Sequence, residues 1–156
     1  MKIRLIAVGT RMPEWVKQGF ADYAERMPRE CGLELMEIPV AERGKNADIA
    51  RLKRAEGEKI LKAIPRDARV VAFEEGGESL NTEQWAQAMA GWRQDGRCVA
   101  LLIGGPDGLA AEVVARADRR WSLSKLTLPH GLARVFVAEQ IYRAWTRVVN
   151  HPYHRA

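Results

Sequence analysis

At 156 residues, with 47% hydrophobic and 29% charged side chains, the chain suits one domain with a sizeable core and is too apolar to stay disordered. The net charge is +5, and 18 arginines outnumber 7 lysines. That bias fits bidentate contacts to phosphate, and so a nucleic-acid partner, as well as a merely arginine-rich proteome. Two distant cysteines, Cys31 and Cys98, rule against a disulfide framework and fit a reducing compartment. The apolar run after Met1 is short and broken by Arg4, so neither a signal peptide nor a membrane span is predicted; the expectation is a cytoplasmic protein without a membrane partner.

In chain order, residues 3–8 (IRLIAV) read as a first strand. Pro13 suits a first helical position, and Val16, Phe20, Tyr23, Ala24 and Met27 follow at helical spacing. Residues 33–38 (LELMEI) form a second strand. After a polar loop, Ile49, Leu52, Glu56 and Ile60 mark the stripe of a second helix, capped by Asn46 or Asp48. Residues 69–73 (RVVAF) are the third strand. Asn81 with Gln84 forms a capping box ahead of a helix whose one face holds Trp85, Ala88, Met89 and Trp92. Residues 98–103 (CVALLI), the most apolar run, predict the most buried strand. A short helix near 109–117 follows, then a fifth strand over 120–128 (RWSLSKLTL) and a closing helix from about 132 to 149.

This alternation predicts a single α/β domain over residues 1–156, a five-stranded, mainly parallel sheet with helices on both faces. General rules of chain connection favour an unknotted version. The last helix carries two apolar stripes. Leu132, Val135, Phe136, Tyr142, Trp145 and Val149 make one, and Val137, Ile141, Ala144 and Val148 the other. A surface helix needs one stripe, so the second packs either on another part of this chain or, the favoured reading, on a second copy in a homodimer.

Open parallel sheets bind ligands beyond the carboxyl ends of their strands. The loop after strand four is GGPDG, residues 104–108; it is neither GxGxxG nor a P-loop, and an ordinary tight turn would look the same. EEGGES after strand three is either a second wall of the same crevice or a solvated turn. SLSKLTLPHG offers small hydroxyl residues and backbone groups able to read an adenine edge, or else only helix caps. Arg143, Arg147 and then Asn150 or His151 lie one turn apart and lead into Arg155, while Arg43 and Lys45 mark a second basic loop. Pro152 between His151 and His154 argues against a chelating helix, and no metal site is expected. These features leave open an enzyme, a nucleic-acid-binding module without catalysis, and a phosphate-dependent small-molecule enzyme.

The segments LLIGGPDGL, SLSKLTLPH, RVFVAEQIYRAW and HPYHR, with KIRLIAVGTRMPEWV and RGKNADI, resemble the RlmH family, SPOUT-class methyltransferases of large-subunit ribosomal RNA, over nearly the whole chain. The resemblance implies a trefoil knot in the C-terminal part of the sheet, a homodimer, and S-adenosyl-L-methionine bent into the knot. It implies methyl transfer to N3 of a pseudouridine in 23S rRNA of assembled ribosomes. Carried over by position, Gly104 and Gly105 would line the cofactor pocket, and Ser124, Lys125, Leu126, Thr127, Leu128 and Pro129 would wrap the adenosyl part. Phe73 stands where the family carries leucine and would make an apolar contact. Glu74 and Glu75 depart from the family pattern, and no role is carried over to them. Tyr153, His154 and Arg155 match the family's terminal motif, whereas His151 and Pro152 fall in a more variable part. The expected catalytic group is His154, Tyr153 and Arg143. His154 would accept the N3 proton, as a neutral imidazole does near pH 7, and Arg143 or Arg155 would offset charge on the base. Arg155, Arg147, His151, Arg43 and Lys45 would hold RNA.

Overall fold

The computed structural model describes residues 1–155. Five strands, β1 (Ile3–Val8), β2 (Leu33–Ile38), β3 (Arg69–Ser79), β4 (Val99–Ile103) and β5 (Arg119–Ser122), alternate with five helices. These are α1 (Glu14–Arg26), α2 (Ile49–Ala63), α3 (Thr82–Asp95), α4 (Ala111–Arg116) and α5 (His130–Val148). The chain closes with a single 3-10 turn, Pro152–Arg155. The strands form one parallel sheet in the order β2-β1-β4-β3-β5.

Central strands of such a sheet are buried on both faces, which is why β4 reads as an unbroken apolar run and β1 as one interrupted only by Arg4. Alternate residues feed two cores. Ile3, Leu5 and Leu101 join Phe20 of α1, Trp85 and Met89 of α3, and Val137 and Ile141 of α5. Ile6, Val8 and Leu102 join Ile60 of α2 and Val113 of α4 on the opposite face. The Asn81–Gln84 capping box is formed in full, and Asp48 is the cap of α2, its carboxylate accepting from the Arg51 amide at 3.3 Å.

Three local expectations are corrected. The fifth strand ends at Ser122 rather than residue 128. Beyond it the Ser122 hydroxyl donates to the Ser124 carbonyl at 3.0 Å, and the Ser124 hydroxyl accepts from the Leu126 amide at 2.9 Å. Such local bonds give the backbone partners other than a sheet ladder. β3 runs past Phe73 to Ser79, with a register jump in which both Phe73 and Glu78 pair with Trp121, so residues 74–77 bulge out. Gly77 permits this: a Cβ there would lie 2.6 Å from the Trp121 backbone. Ile49, at the open first turn of α2, is exposed, and the buried stripe is Glu56, Gly57 and Ile60.

Of the two stripes on α5, Val137, Ile141 and Ala144 are buried, as is Tyr142 from the other stripe. Val135, Phe136 and Trp145 are half-buried, and Leu132 and Val149 stay exposed, as does Trp15 on α1. One turn into α5, Arg134 is fully buried and ties the end of β1 down. Its guanidinium donates to the Gly9 carbonyl at 2.7 Å, the Val8 carbonyl at 3.3 Å and Glu37 Oε2 at 2.7 Å.

Candidate active site

The carboxyl ends of β3 and β4 and the segment after β5 wall an open cleft, the kind of concavity in which small ligands bind. The first wall is the glycine turn after β4. It closes on itself, the Gly108 amide donating to the Gly105 carbonyl at 3.0 Å. A Cβ on Gly104 would sit 2.6 Å from the Gly108 carbonyl carbon, so only glycine fits. Glu56, buried on α2, supports the turn from below. A Cβ on Gly105 would come within 3.2 Å of its Oε1, while Oε2 accepts from the Ala41 amide at 3.0 Å. Asp107 on the same turn pairs with Arg43.

The second wall is the β3 bulge. Phe73 is buried against Trp85, ring centroids 6.0 Å apart and nearly parallel, and Glu74 and Glu75 follow it along the cleft. The third wall is the segment from Ser122 to Leu128, with His130 and Ala133 of α5. Thr127 Oγ1 donates to Glu75 Oε1 at 3.2 Å, linking the second wall to the third. Leu126 also lines the cleft while being 76% exposed, an apolar surface left open where a ligand would sit. The cleft lining contains two carboxylates and one histidine but neither lysine nor arginine.

The C-terminal turn builds a second cluster. It folds back on α5 so that Tyr153 meets Tyr142 edge-on at 4.7 Å and the Arg143 guanidinium lies 5.1 Å from the Tyr153 ring centre. The Tyr153 hydroxyl donates to Glu139 Oε1 at 3.0 Å, and Arg143 Nε donates to the same oxygen at 2.8 Å. Burial, with hydrogen bonds to Tyr23 and Glu139, pushes the Tyr153 phenol well above its ordinary range. The hydrogen-bonded Glu139 carboxylate likewise raises Arg143. His154 shares a groove with Asn81, Thr82, Glu83, Arg143 and Arg147, and its Nδ1 is buried with no hydrogen-bond partner among the described residues. Arg147 donates twice to Glu83 Oε2, at 2.9 and 2.6 Å. No residue lining this groove also lines the cleft.

A family model described as a predicted SPOUT methyltransferase matches residues 1–154. The chain belongs to the SPOUT methyltransferase family. This SPOUT methyltransferase is 56% identical to a protein of Pseudomonas putida (strain W619) named ribosomal RNA large subunit methyltransferase H, over 99% of this chain and 100% of that one. It is 55% identical, with the same coverage, to a protein of the same name from Marinomonas sp. (strain MWYL1). The resemblance drawn from the sequence motifs is thereby borne out along the full length. A solved structure described as "Structural insights into the 2-OH methylation of C/U34 on tRNA" shares the fold at a TM-score of 0.51 and 21% identity, covering 94% of this chain and 97% of that one.

Within this SPOUT methyltransferase, Phe73, Gly104, Gly105, Ser124, Leu126 and Leu128 come together around the cleft. Thr127 reaches it through Glu75, whereas Lys125 and Pro129 are exposed outside the lining. Ile103, Gly108, Leu123, His130 and Ala133 also line it. Gly108, Leu123 and His130 stand inside the motifs GGPDG and SLSKLTLPHG, whereas Ile103 and Ala133 carry no chemical signal of their own. Glu74 and Glu75 had one signal, their place at the carboxyl end of a parallel strand. Tyr153, His154, Arg143 and Arg147 gather in the tail cluster, where His151 and Arg155 are exposed and the His151 Nδ1 accepts from the Tyr153 amide at 3.2 Å. Arg43 sits instead at the glycine turn, with Lys45 exposed two residues on.

Proposed function

We propose that this chain transfers a methyl group from S-adenosyl-L-methionine to N3 of a pseudouridine in 23S rRNA, acting on assembled ribosomes as a cytoplasmic homodimer whose C-terminal part is threaded as a trefoil knot. The observation that carries the proposal is the cleft itself. In a chain of this family, a glycine turn, an aromatic strand end and a leucine- and hydroxyl-rich segment converge on one open concavity. The names of the relatives, large-subunit ribosomal RNA methyltransferases, support RNA as the acceptor.

The residues present fit the cofactor. Leu126 and Leu128, with Phe73 behind them, offer apolar contacts to a flat base, and the Gly104–Gly105 backbone allows close approach. Ser124 and Thr127 keep the segment shaped through their hydroxyls, while Lys125 and Pro129 contribute through the backbone. When bound, S-adenosyl-L-methionine supplies an electrophilic methyl group.

The acceptor nitrogen can attack only after its proton leaves. His154, whose Nδ1 has no hydrogen-bond partner among the described residues, takes that proton. Arg143 and Arg155 offset the negative charge on the base, and Tyr153 orients the group through Glu139. Because the tail cluster and the cleft share no lining residue in one chain, the tail is assigned to the partner's cleft in the dimer. The exposed Trp15 and Leu132 support such an interface. Arg147, His151, Arg43 and Lys45 then grip RNA phosphates alongside Arg155.

The test offers labelled S-adenosyl-L-methionine with naked rRNA or with whole ribosomes lacking the modification. Label is expected in the 23S rRNA of ribosomes; label in neither would overturn the proposal. For His154→Ala, methylation is expected to fall at least about a hundredfold, with loss of the pH dependence of the rate below neutrality. An unchanged pH–rate profile would remove His154 as the base.

A further inference from the structure

The charge of the cleft runs against that of the molecule. The chain has 25 lysines and arginines, yet none lines the cleft, whose charged groups are Glu74 and Glu75, with His130 the other titratable residue. The two carboxylates are not equivalent. Glu74 Oε2 lies 3.7 Å from Arg120 on β5, so its charge is already paired. Glu75 forms no ion pair among the described residues, and its hydrogen bond is to the neutral Thr127 hydroxyl. The bulge at residues 74–77 places this unpaired anion at the cleft wall. A ligand that fills the cleft displaces water from around it, and a carboxylate losing water favours a cation beside it.

Building on the methyl-transfer assignment above, we infer that Glu75 makes the cleft select the positively charged methyl donor over its spent product. In the reaction the bond from sulfur to methyl carbon breaks, the electron pair stays on sulfur, and the new carbon–nitrogen bond forms as the acceptor's proton leaves. The sulfonium cation thereby becomes a neutral thioether. An anion at the wall loses its attraction at that moment, so the product is released more readily than the donor. The Thr127 hydroxyl holds the carboxylate between turnovers without cancelling its charge.

The test is calorimetric titration of the intact chain with three ligands: S-adenosyl-L-methionine, the neutral thioether S-adenosylhomocysteine, and sinefungin, which bears an ammonium close to the sulfonium position. Glu75→Gln keeps size and hydrogen bonding and removes charge. It is expected to raise the Kd of the two cationic ligands about five- to tenfold and that of the thioether less than about twofold. Glu74→Gln, whose charge is already paired, should keep the wild-type ratio of thioether to sulfonium affinity. Equal weakening of all three ligands by Glu75→Gln would show a contact with a shared group such as the ribose hydroxyls and would overturn the inference. So would no change in any of them. If the wild-type chain binds none of the three, the methyl-donor assignment itself fails, a result separate from failure of the Glu75 variant alone.

Discussion

Gly104 in the cleft wall and Arg134 at the end of β1 show how single residues fix the backbone around them. At Gly104 the obstacle to any side chain is backbone, which cannot swing away as a flexible side chain would. Gly104→Ala is expected to cost about 1–3 kcal/mol of stability and to weaken S-adenosyl-L-methionine binding more than tenfold, read by thermal melting and calorimetry on the same sample. Arg134 is a buried cation with two carbonyls and one carboxylate around it. Removing it leaves those acceptors without donors, so Arg134→Met should destabilise the fold by about 3 kcal/mol. Arg134→Lys should recover little, because a single ammonium cannot span three acceptors in the guanidinium's planar arrangement. Chemical denaturation of the two variants checks both expectations.

Among elements, the C-terminal turn is held by a group whose ionisation in alkali opposes its attachment. The Tyr153 phenol is raised above its ordinary 10.0 by burial and by its neighbours. Folding therefore disfavours its ionised form, so the contribution of the docked tyrosine is complete below pH 10 and is lost as pH climbs through the raised value. The melting-temperature difference between wild type and Tyr153→Phe is expected to stay constant from about pH 7 to 9 and to shrink above 10. Deleting residues 151–156 should leave cofactor affinity within about twofold and abolish methylation, since the turn contributes nothing to the cleft wall. Elements differed sharply in how well they could be read beforehand. β4, and β1 apart from Arg4, are apolar on both faces and announce themselves. The segment after Ser122 spaces Leu123, Leu126 and Leu128 among hydroxyls and so imitates a strand. Its leucines line the cleft, with Leu123 and Leu128 also packing on the core from the side, and its serines bond to nearby backbone. The extension of β3 is carried by glutamates and glycines, poor strand formers, and exists because β5 pairs with it across a bulge. For the same reason the glycine turn and the leucine segment were legible as site elements. Ile103 and Ala133 reach the cleft only because of where the sheet puts their strand and helix.

At the scale of the whole molecule, exposed apolar groups on α1 and α5 predict self-association. Sedimentation equilibrium is expected to give twice the chain mass of 17.6 kDa. Leu132→Asp should shift that mass toward one chain while leaving the melting temperature of the monomer within a few degrees, since Leu132 is already exposed. The strand order has a further consequence, for synthesis. β4 enters the sheet between β1 and β3, and β5 is the last strand, pairing with β3. A nascent chain that has emerged only through residue 118 can assemble four strands and the glycine-turn wall, but not the β3 bulge, which needs β5. It still lacks the segment from Ser122 to Ala133 that closes the cleft, and it presents the apolar residues 70–73 of β3 as an open edge. Ligand capture is thus withheld from translation intermediates until residues 122–133 have emerged, and the open β3 edge before then is a site for mispairing.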